Sequence, residues 1–409
     1  MSELKRGWRF VSACCVGVIC SSIVLPYYSI GTLVEPVTST FGWTRAEFQA
    51  AILFSSGLGA LTAPAVGWLI DRYGVRRVGI PGLVGLATGF CIAASMDGAL
   101  WMLYLAYGAM ALLGAGTIPV TWTQAIANQF FSQRGLALGL ALTGTGICAV
   151  IAPHYSLALL EAFGWRGAYL GLALLPVVVA LPLVFLWLRP FEQPHDPEPH
   201  LAPDNGITFT EALRSYRFWV LLATIFLAYM GFSGIGPNLF PSLTDDGHAP
   251  GEAATVVSVF GGAIVVGRVV VGFLLDRFWA PGVAAAALTL PVAGAYVLAG
   301  SPDIPAAVIS AFCLGFAAGA ELDLMSFLVA RYFGLKHYGR IYSVAYATLA
   351  VCSGTAPMLF AQVYDRTQSY DSAYLIAAVL FLASAVLILA LGRYPADFGA
   401  KTSSTLPGS

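Results

Sequence analysis

Charged side chains are scarce in this chain: 10% of its 409 residues are Asp, Glu, Lys or Arg, whereas 58% are hydrophobic. A soluble domain carries about 25% charged residues. A soluble protein this apolar could not cover its own surface, so the composition predicts a protein embedded in a lipid bilayer. The net charge of −1 gives no reason to expect a nucleic-acid partner.

Several catalytic and metal-binding patterns are also missing. The seven cysteines lie in apolar runs without metal-ligand spacing or a pairing pattern, and we interpret them as small apolar side chains. No phosphate-binding loop of the ATPase type and no nucleophile triad occur, and the glycines at 135–146 are better explained by close helix packing. We therefore expect no enzyme activity, no metal and no cofactor. The energy source would be an ion or substrate gradient.

Twelve apolar runs are long enough to cross a bilayer, which takes about 20 helical residues. We number them spans 1 to 12, and we read the first as a membrane helix rather than a removed signal peptide. They lie at 10–33, 46–70, 78–97, 100–125, 135–160, 166–188, 217–241, 253–274, 279–300, 304–328, 340–363 and 371–392.

The basic residues indicate the orientation of these spans. Sixteen of the 20 Lys and Arg residues fall on the side of the two termini, three fall on the opposite side, and Arg268 lies within span 8. Because loops rich in Lys and Arg stay in the cytoplasm, both termini are predicted to be cytoplasmic. We expect a multi-pass protein of the inner (plasma) membrane that functions as a monomer.

The two halves of the chain repeat one pattern. GWLIDRYG at 67–74 is echoed by GFLLDRF at 272–278, and Pro153 and Pro357 are separated by nearly the same interval. This period predicts a duplicated six-helix unit, with parallel halves related by an axis along the membrane normal. The predicted domains are residues 1–188, a linker at 189–216, and residues 217–409. In the linker, Thr208 and Glu211 form a capping-box pattern that predicts a short helix.

These features resemble the major facilitator superfamily, whose signature is similar to GWLIDRYGVRR between spans 2 and 3. Within it, the chain looks most like the monocarboxylate transporter and oxalate/formate antiporter group. The similar segments are residues 130–146, 208–219 and 267–278. The resemblance implies twelve helices in two pseudo-symmetric bundles, and it implies that Arg268 holds a substrate carboxylate. The oxalate/formate antiporter pattern has a lysine in span 11, and this chain has none there. The chain therefore departs from a dicarboxylate site that is formed by two cationic side chains.

Three charged residues lie inside the predicted spans. Arg268 is in span 8, and Glu321 and Asp323 are in span 10. An arginine at the bilayer centre costs about 2.5–3.5 kcal/mol on insertion scales, so it needs a partner or water. Arg268 is therefore predicted either to bind a substrate carboxylate or to form a structural salt bridge with one of the acids. Glu321 and Asp323 are about 200° apart around a helix, so they face different ways, and at least one is predicted to carry a proton.

Other polar and aromatic residues complete the predicted transport site. His154 follows Pro153 in span 5 and is a candidate proton relay, with a packing role as the alternative. Asn238 follows a predicted helix break at Gly231, Gly234, Gly236 and Pro237 in span 7. The further substrate-binding candidates, for which packing is again the alternative, are Tyr28, Trp122, Tyr342 and Tyr346.

The signature loops contain a second set of charges that suits a conformational lock rather than a substrate site. Such residues would hold one face closed by contacts with helix ends and with neighbouring loops. The predicted lock residues are Asp71, Arg72, Arg76, Arg134, Asp276 and Arg277.

The function predicted from these residues is proton-coupled symport of a small organic acid, a monocarboxylate and possibly an aromatic one, by alternating access. The partners are then a small organic anion, a proton and the bilayer. One alternative is an anion exchanger or exporter of the same fold. A second alternative is a non-transporting membrane sensor, and the lack of a catalytic constellation disfavours a membrane enzyme.

Overall fold

The computed structural model describes residues 3–130, 134–189, 206–275, 277–334 and 336–395, and these are almost entirely helical. The helices of the first half are α1 (Glu3–Ile19), α2 (Leu25–Ser29), α3 (Val34–Phe41), α4 (Arg45–Gln49), α5 (Leu58–Tyr73), α6 (Val75–Ala94), α7 (Leu100–Leu113), α8 (Pro119–Gln129), α9 (Arg134–Leu174) and α10 (Leu181–Trp187). The remaining helices are α11 (Phe209–Arg214), α12 (Tyr216–Asp245), α13 (Pro250–Leu275), α14 (Ala280–Leu298), α15 (Ile304–Phe333), α16 (Tyr338–Thr367) and α17 (Asp371–Leu389).

Helices α12 to α17 correspond one to one with spans 7 to 12, whereas the first half is more interrupted. Eight helical stretches of the described chain are long and apolar enough by themselves to cross a membrane. One of them, at 136–187, contains spans 5 and 6, which are separated at Gly164, where φ is 70°. Spans 1, 2 and 4 are each divided into shorter helical segments.

The breaks in spans 1 and 4 lie side by side. Helix α1 ends at Ile19 and the chain becomes helical again at Leu25, while α7 ends at Leu113 and α8 begins at Pro119. The Ser22 N–H donates to Thr117 Oγ1 at 2.9 Å, which joins the two breaks. Helix breaks within a membrane persist where neighbouring groups satisfy the freed backbone, as Thr117 does here.

The predicted break in span 7 is wrong, because α12 is one helix with Pro237 and Pro241 inside it. Its glycines allow close packing instead. A Cβ added at Gly231 would lie 2.6 Å from the ring of Phe381, and one at Gly234 would lie 2.4 Å from the ring of Phe360.

The two halves pack closely where α9 crosses α13. A Cβ added at Gly146 would lie 2.5 Å from Val265 Cγ2, and one at Gly261 would lie 2.6 Å from Ala149 Cβ. Small residues let the two helices come almost into backbone contact. The crossing therefore leaves little room for a larger side chain at Gly146 or Gly261.

The predicted linker helix is confirmed as α11. Thr208 and Glu211 form a complete capping box, in which the Thr208 N–H donates to Glu211 Oε2 at 2.7 Å. This hydrogen bond, together with one from the Thr208 side chain, lowers the pKa of the Glu211 carboxyl. The Phe209 N–H donates to His337 Nδ1 at 3.0 Å, so α11 is attached to the loop between spans 10 and 11.

Candidate functional site

Arg268 lies where α13 and α15 pack almost backbone to backbone. A Cβ at Gly267 would lie 1.9 Å from the Phe316 carbonyl oxygen, and one at Gly319 would lie 2.0 Å from the Ile264 carbonyl oxygen. No side chain larger than hydrogen fits at either position without a shift of the helices. The glycines thus fix the register of α13 against α15 and place Arg268 beside the acidic turn of α15.

Arg268 and Asp323 form an ion pair. Arg268 Nε lies 3.3 Å from Asp323 Oδ2, and the side chains are 11% and 38% exposed. Among the described residues, neither Nε nor Nη1 of Arg268 has a partner with hydrogen-bond geometry. The guanidinium is therefore paired by charge along one edge, while the Nη1 edge can still donate to a bound anion.

Glu321 faces a different side of α15 from Asp323. It lines an apolar cavity inside the second half together with residues of α12, α14 and α17, among them Leu221, Ala287 and Ile388. Its Oε1 atom is buried and has no hydrogen-bond partner among the described residues. Tyr27, Tyr229 and Cys352 lie close enough to interact electrostatically with its carboxyl group. The helical periodicity expected from the sequence thus puts the paired carboxyl of Asp323 on a different side of α15 from Glu321, whose Oε1 has no partner among the described residues.

Three of the predicted tyrosines lie around these charges. Tyr342 is in electrostatic range of Asp323 and Tyr346, and it stacks on Tyr338 with a centroid separation of 5.6 Å. Tyr28 is in range of Arg268 and packs edge-to-face on Tyr27 at 5.1 Å. Phenol rings from spans 1 and 11 therefore border the region that contains the Arg268–Asp323 pair.

Trp122 is a packing residue in this structure rather than part of the site. It is fully buried, and its Nε1 donates to the Thr117 carbonyl at 2.9 Å. A Cβ at Gly17 would lie 2.4 Å from its ring, and one at Gly79 would lie 3.1 Å from it. The indole therefore fills the space between spans 1, 3 and 4, and its only hydrogen-bond donor is occupied.

Asn238 is also fully buried, and its amide is occupied by protein partners. Nδ2 donates to the carbonyls of Gly234 and Pro357, at 2.9 and 3.1 Å. Oδ1 accepts from Gln49 at 3.3 Å and from the Tyr370 hydroxyl at 3.1 Å. In this conformation Asn238 joins the halves and has no donor left for a substrate.

His154 also lies between the halves. Its Nδ1 is 2.9 Å from the Ser258 hydroxyl on α13, which in turn donates to the Val150 carbonyl at 2.7 Å. The imidazole is exposed on the surface of the helix bundle. The structure thus places His154 at the crossing of spans 5 and 8.

The residues of the predicted conformational lock are only partly described. Arg72 lies over the Trp68 ring at 5.5 Å, Arg76 donates to the Phe185 carbonyl at 2.5 Å, and Arg277 lies over the Phe273 ring at 3.7 Å. Each of these arginines contacts a residue of its own half, the first half for Arg72 and Arg76 and the second half for Arg277. Asp276 and the side chains of Asp71 and Arg134 lie outside the described residues, so the lock stays a prediction.

The sequence reasoning missed Arg45, the first residue of α4. It is 7% exposed and contacts Asp245, at the far end of α12 in the other half. A signal was present, since Arg45 is one of the three basic residues predicted on the face opposite the termini. Basic residues are rare on that face, and acidic residues follow the outer ends of spans 7 and 11. Together these two features could have identified Arg45 as a residue that pairs with an acid of the other half.

Comparison with known proteins gives concordant results. The sequence profile of the Major Facilitator Superfamily matches residues 13–357 and 221–406. Monocarboxylate transporter 13 of Bos taurus is 28% identical over 405 residues, which cover 93% of this chain and 91% of that protein. Monocarboxylate transporter 11 of Homo sapiens is 27% identical over 355 residues, covering 81% of this chain and 72% of that protein.

A solved structure supports the same fold. A bacterial homologue of the human lysosomal transporter Spinster, in an inward-facing and occupied conformation, superposes with a TM-score of 0.67 at 17% identity, covering 96% of both chains. The predicted fold of twelve helices in two six-helix bundles is thereby confirmed. The chain is a multi-pass membrane transporter that belongs to the Major Facilitator Superfamily.

Proposed function

We propose that this transporter carries out proton-coupled symport of a small monocarboxylate. The observation that carries the proposal is Arg268, a mostly buried guanidinium whose Nε edge faces Asp323 while Nη1 has no partner among the described residues. A planar guanidinium can donate to both oxygens of a carboxylate. The names of the monocarboxylate transporters that this chain resembles support the substrate class.

The substrate carboxylate binds at the free edge of Arg268. Its arrival puts a second anion beside a guanidinium that already faces Asp323 at 3.3 Å. Two carboxylates on one cation leave an excess negative charge, which is costly in a membrane interior. Binding therefore favours the uptake of one positive charge nearby, and a proton supplies it.

Glu321 is the proton carrier in this scheme. Asp323 already has a cation beside it, whereas the buried Oε1 of Glu321 has no partner among the described residues. A buried charge without a partner is disfavoured, so a proton on Glu321 is the available means of neutralisation. One monoanion and one proton cross together, and the membrane potential does not oppose the step.

The aromatic rings limit the rest of the substrate. Tyr28, Tyr342 and Tyr346 present apolar faces and phenol groups near Arg268 and Asp323. They suit an acid with a small apolar or aromatic body. We further propose that the transporter works as a monomer in the inner (plasma) membrane. The excess of Lys and Arg in the loops on the side of the termini supports a cytoplasmic position for both termini.

The test is uptake of labelled carboxylates by purified protein in liposomes, with and without an inward proton gradient. The proposal expects accumulation of at least one monocarboxylate only with the gradient. Arg268→Ala should abolish uptake and binding, and Arg268→Lys should restore binding in part, because lysine keeps the charge without the planar pair of donors.

The variant Glu321→Gln tests proton coupling separately from substrate binding. It should abolish gradient-driven accumulation while retaining exchange of labelled for unlabelled substrate, because a permanently neutral side chain carries no proton. Glu161→Gln, at an exposed acid of the first half, is the matched control and should leave both activities unchanged. Flux seen only against preloaded carboxylate would instead favour the exchanger.

A further inference from the structure

A group of residues at the face opposite the termini joins the two halves, and we call it the outer seal. Its centre is Arg45, whose Nη1 and Nη2 bind the two oxygens of Asp245 at 2.5 and 2.8 Å. Nη2 also contacts Glu35 Oε2 at 3.1 Å. A bidentate arginine–carboxylate pair is geometrically specific as well as strong. Arg45 belongs to the first half, and Asp245 is the last residue of α12 in the second.

Aromatic rings of the second half surround the same guanidinium. Its centre lies 4.0 Å from the centroid of the Tyr364 ring, and Nη1 is 3.5 Å from the Tyr370 hydroxyl. A cation over an aromatic face is attracted by the ring quadrupole, and the attraction is stronger where water is excluded. The second half therefore contacts Arg45 from several directions.

The backbone of α4 is held from across the interface as well. The N–H groups of Arg45 and Ala46 donate to the two oxygens of Asp365, at 3.2 and 2.9 Å. The first N–H groups of a helix have no partners within the helix and need a cap. Thr44 and Glu47 form a capping box within the first half, and Asp365 adds a cap from the second.

The outer seal continues toward the centre through side-chain amides. Gln49 Nε2 lies 3.3 Å from Asn238 Oδ1, which also accepts from the Tyr370 hydroxyl at 3.1 Å. Gln49 Nε2 also lies 3.5 Å from the carbonyl of Pro237, which lines a small cavity between the halves together with Thr32 and Val257. The outer seal therefore extends to the wall of this cavity.

We propose that Arg45 is the residue that holds the outer face closed, and that its separation from Asp245 and Asp365 is the event that opens this face. The outer seal consists of contacts between the halves, and it involves neither the substrate nor the coupling ion. Arg45 acts on transport by setting which face is open and does not touch the transported molecule.

The test measures access from the outer face to the cavity that adjoins the outer seal. Val257→Cys supplies a thiol there, and a membrane-impermeant maleimide is added to the outer face of sealed vesicles whose orientation has been checked. The same measurement on the chain without Val257→Cys gives the contribution of the native cysteines. We expect slow labelling with Arg45 present and at least tenfold faster labelling with Arg45→Gln.

Two further variants decide whether the ion pair itself is responsible. Arg45→Asp combined with Asp245→Arg should return labelling close to the slow rate, which a merely unfolded or loosened protein would not do. Arg166→Gln is the matched control. Arg166 is another arginine at the outer face, but it donates to the Met96 carbonyl and lies over Trp165, both in its own half.

Equal labelling with Arg45 and with Arg45→Gln would overturn the proposal. Equal acceleration by Arg166→Gln would overturn it too. If Arg45→Gln does not yield folded protein, Asp245→Asn takes its place. It removes one charge, keeps the side-chain shape and should accelerate labelling to a smaller extent. Because labelling needs no substrate, failure of the carboxylate proposal would leave this result unchanged.

Discussion

At the outer end of the interface between the halves, Arg45 binds Asp245 through two contacts and Asp365 caps α4 across the interface. At the inner end, Arg72 and Arg277 lie over aromatic rings of their own halves. The two ends thus use the same residue type in opposite ways. Arg45 at the outer end joins the halves, whereas Arg72 and Arg277 at the inner end contact aromatic rings of their own halves.

An ion pair between the halves, Arg45–Asp245, therefore lies at the outer end, away from the signature loops that the sequence makes conspicuous. An alternating-access carrier works by rocking one half against the other around a fixed site. Contacts at the two ends then belong to different conformations. This assignment can be tested by cross-linking the halves, by enlarging a side chain between them, or by removing a contact at one end of the interface.

The largest expected effect comes from joining the halves covalently. Ser56 Oγ and Ser353 Oγ lie 3.5 Å apart across the interface. Oxidation of Ser56→Cys/Ser353→Cys should reduce transport more than tenfold, because the halves could no longer rock, and a reductant should restore it. The control is Thr32→Cys/Ser156→Cys, whose parent hydroxyls are 2.7 Å apart within the first half. Equal inhibition by both pairs would contradict the idea of rocking halves.

A second test crowds the crossing of α9 and α13. Gly146→Val places side-chain atoms where a Cβ alone would lie 2.5 Å from Val265 and 2.9 Å from the Gly261 carbonyl. Overpacking of this kind costs about 1–3 kcal/mol. We expect a lower melting temperature and transport reduced several-fold. Gly139→Ala in the same helix, where nothing lies within 4 Å, should change neither quantity.

A third test concerns the inner end. Arg277→Gln should change stability by less than about 1 kcal/mol, since an exposed cation–aromatic contact is worth about that much. Transport should nevertheless slow by about threefold if Arg277 is needed when the inner face closes. Arg331, which lies over the Tyr394 ring at 5.1 Å and is outside the predicted lock, is the control. An equal effect of Arg331→Gln would remove the special role of Arg277.

The smallest effect is expected at His154. His154→Asn perturbs its contact with Ser258, and a single hydrogen bond contributes about 0.5–1.5 kcal/mol. Transport should stay within twofold of the parent and keep its dependence on the proton gradient, and Ser258→Ala should behave alike. Loss of gradient-driven accumulation with His154→Asn alone would instead make His154 the proton relay and weaken the assignment to Glu321.

Much of the fold follows from properties that are local in sequence. The length of an apolar run sets where a helix can cross the bilayer, and the interval between GWLIDRYG and GFLLDRF reveals the repeated half. Arg268 could be expected to bind either a substrate carboxylate or an acid of span 10, because an arginine inside the bilayer needs a partner or water, but the sequence left open which one. The opposite directions of Glu321 and Asp323 follow from the helical period.

The sequence by itself therefore determined the spans, the duplicated halves and the charges placed within the membrane. Only the tertiary structure decided that Trp122 packs against Gly17, that α12 runs unbroken through Pro237, and that Arg45 meets Asp245. Helix periodicity and apolar length constrain each helix separately. Contacts between helices depend on how far each helix is rotated and tilted against its neighbours, which is set by the packing of the whole bundle.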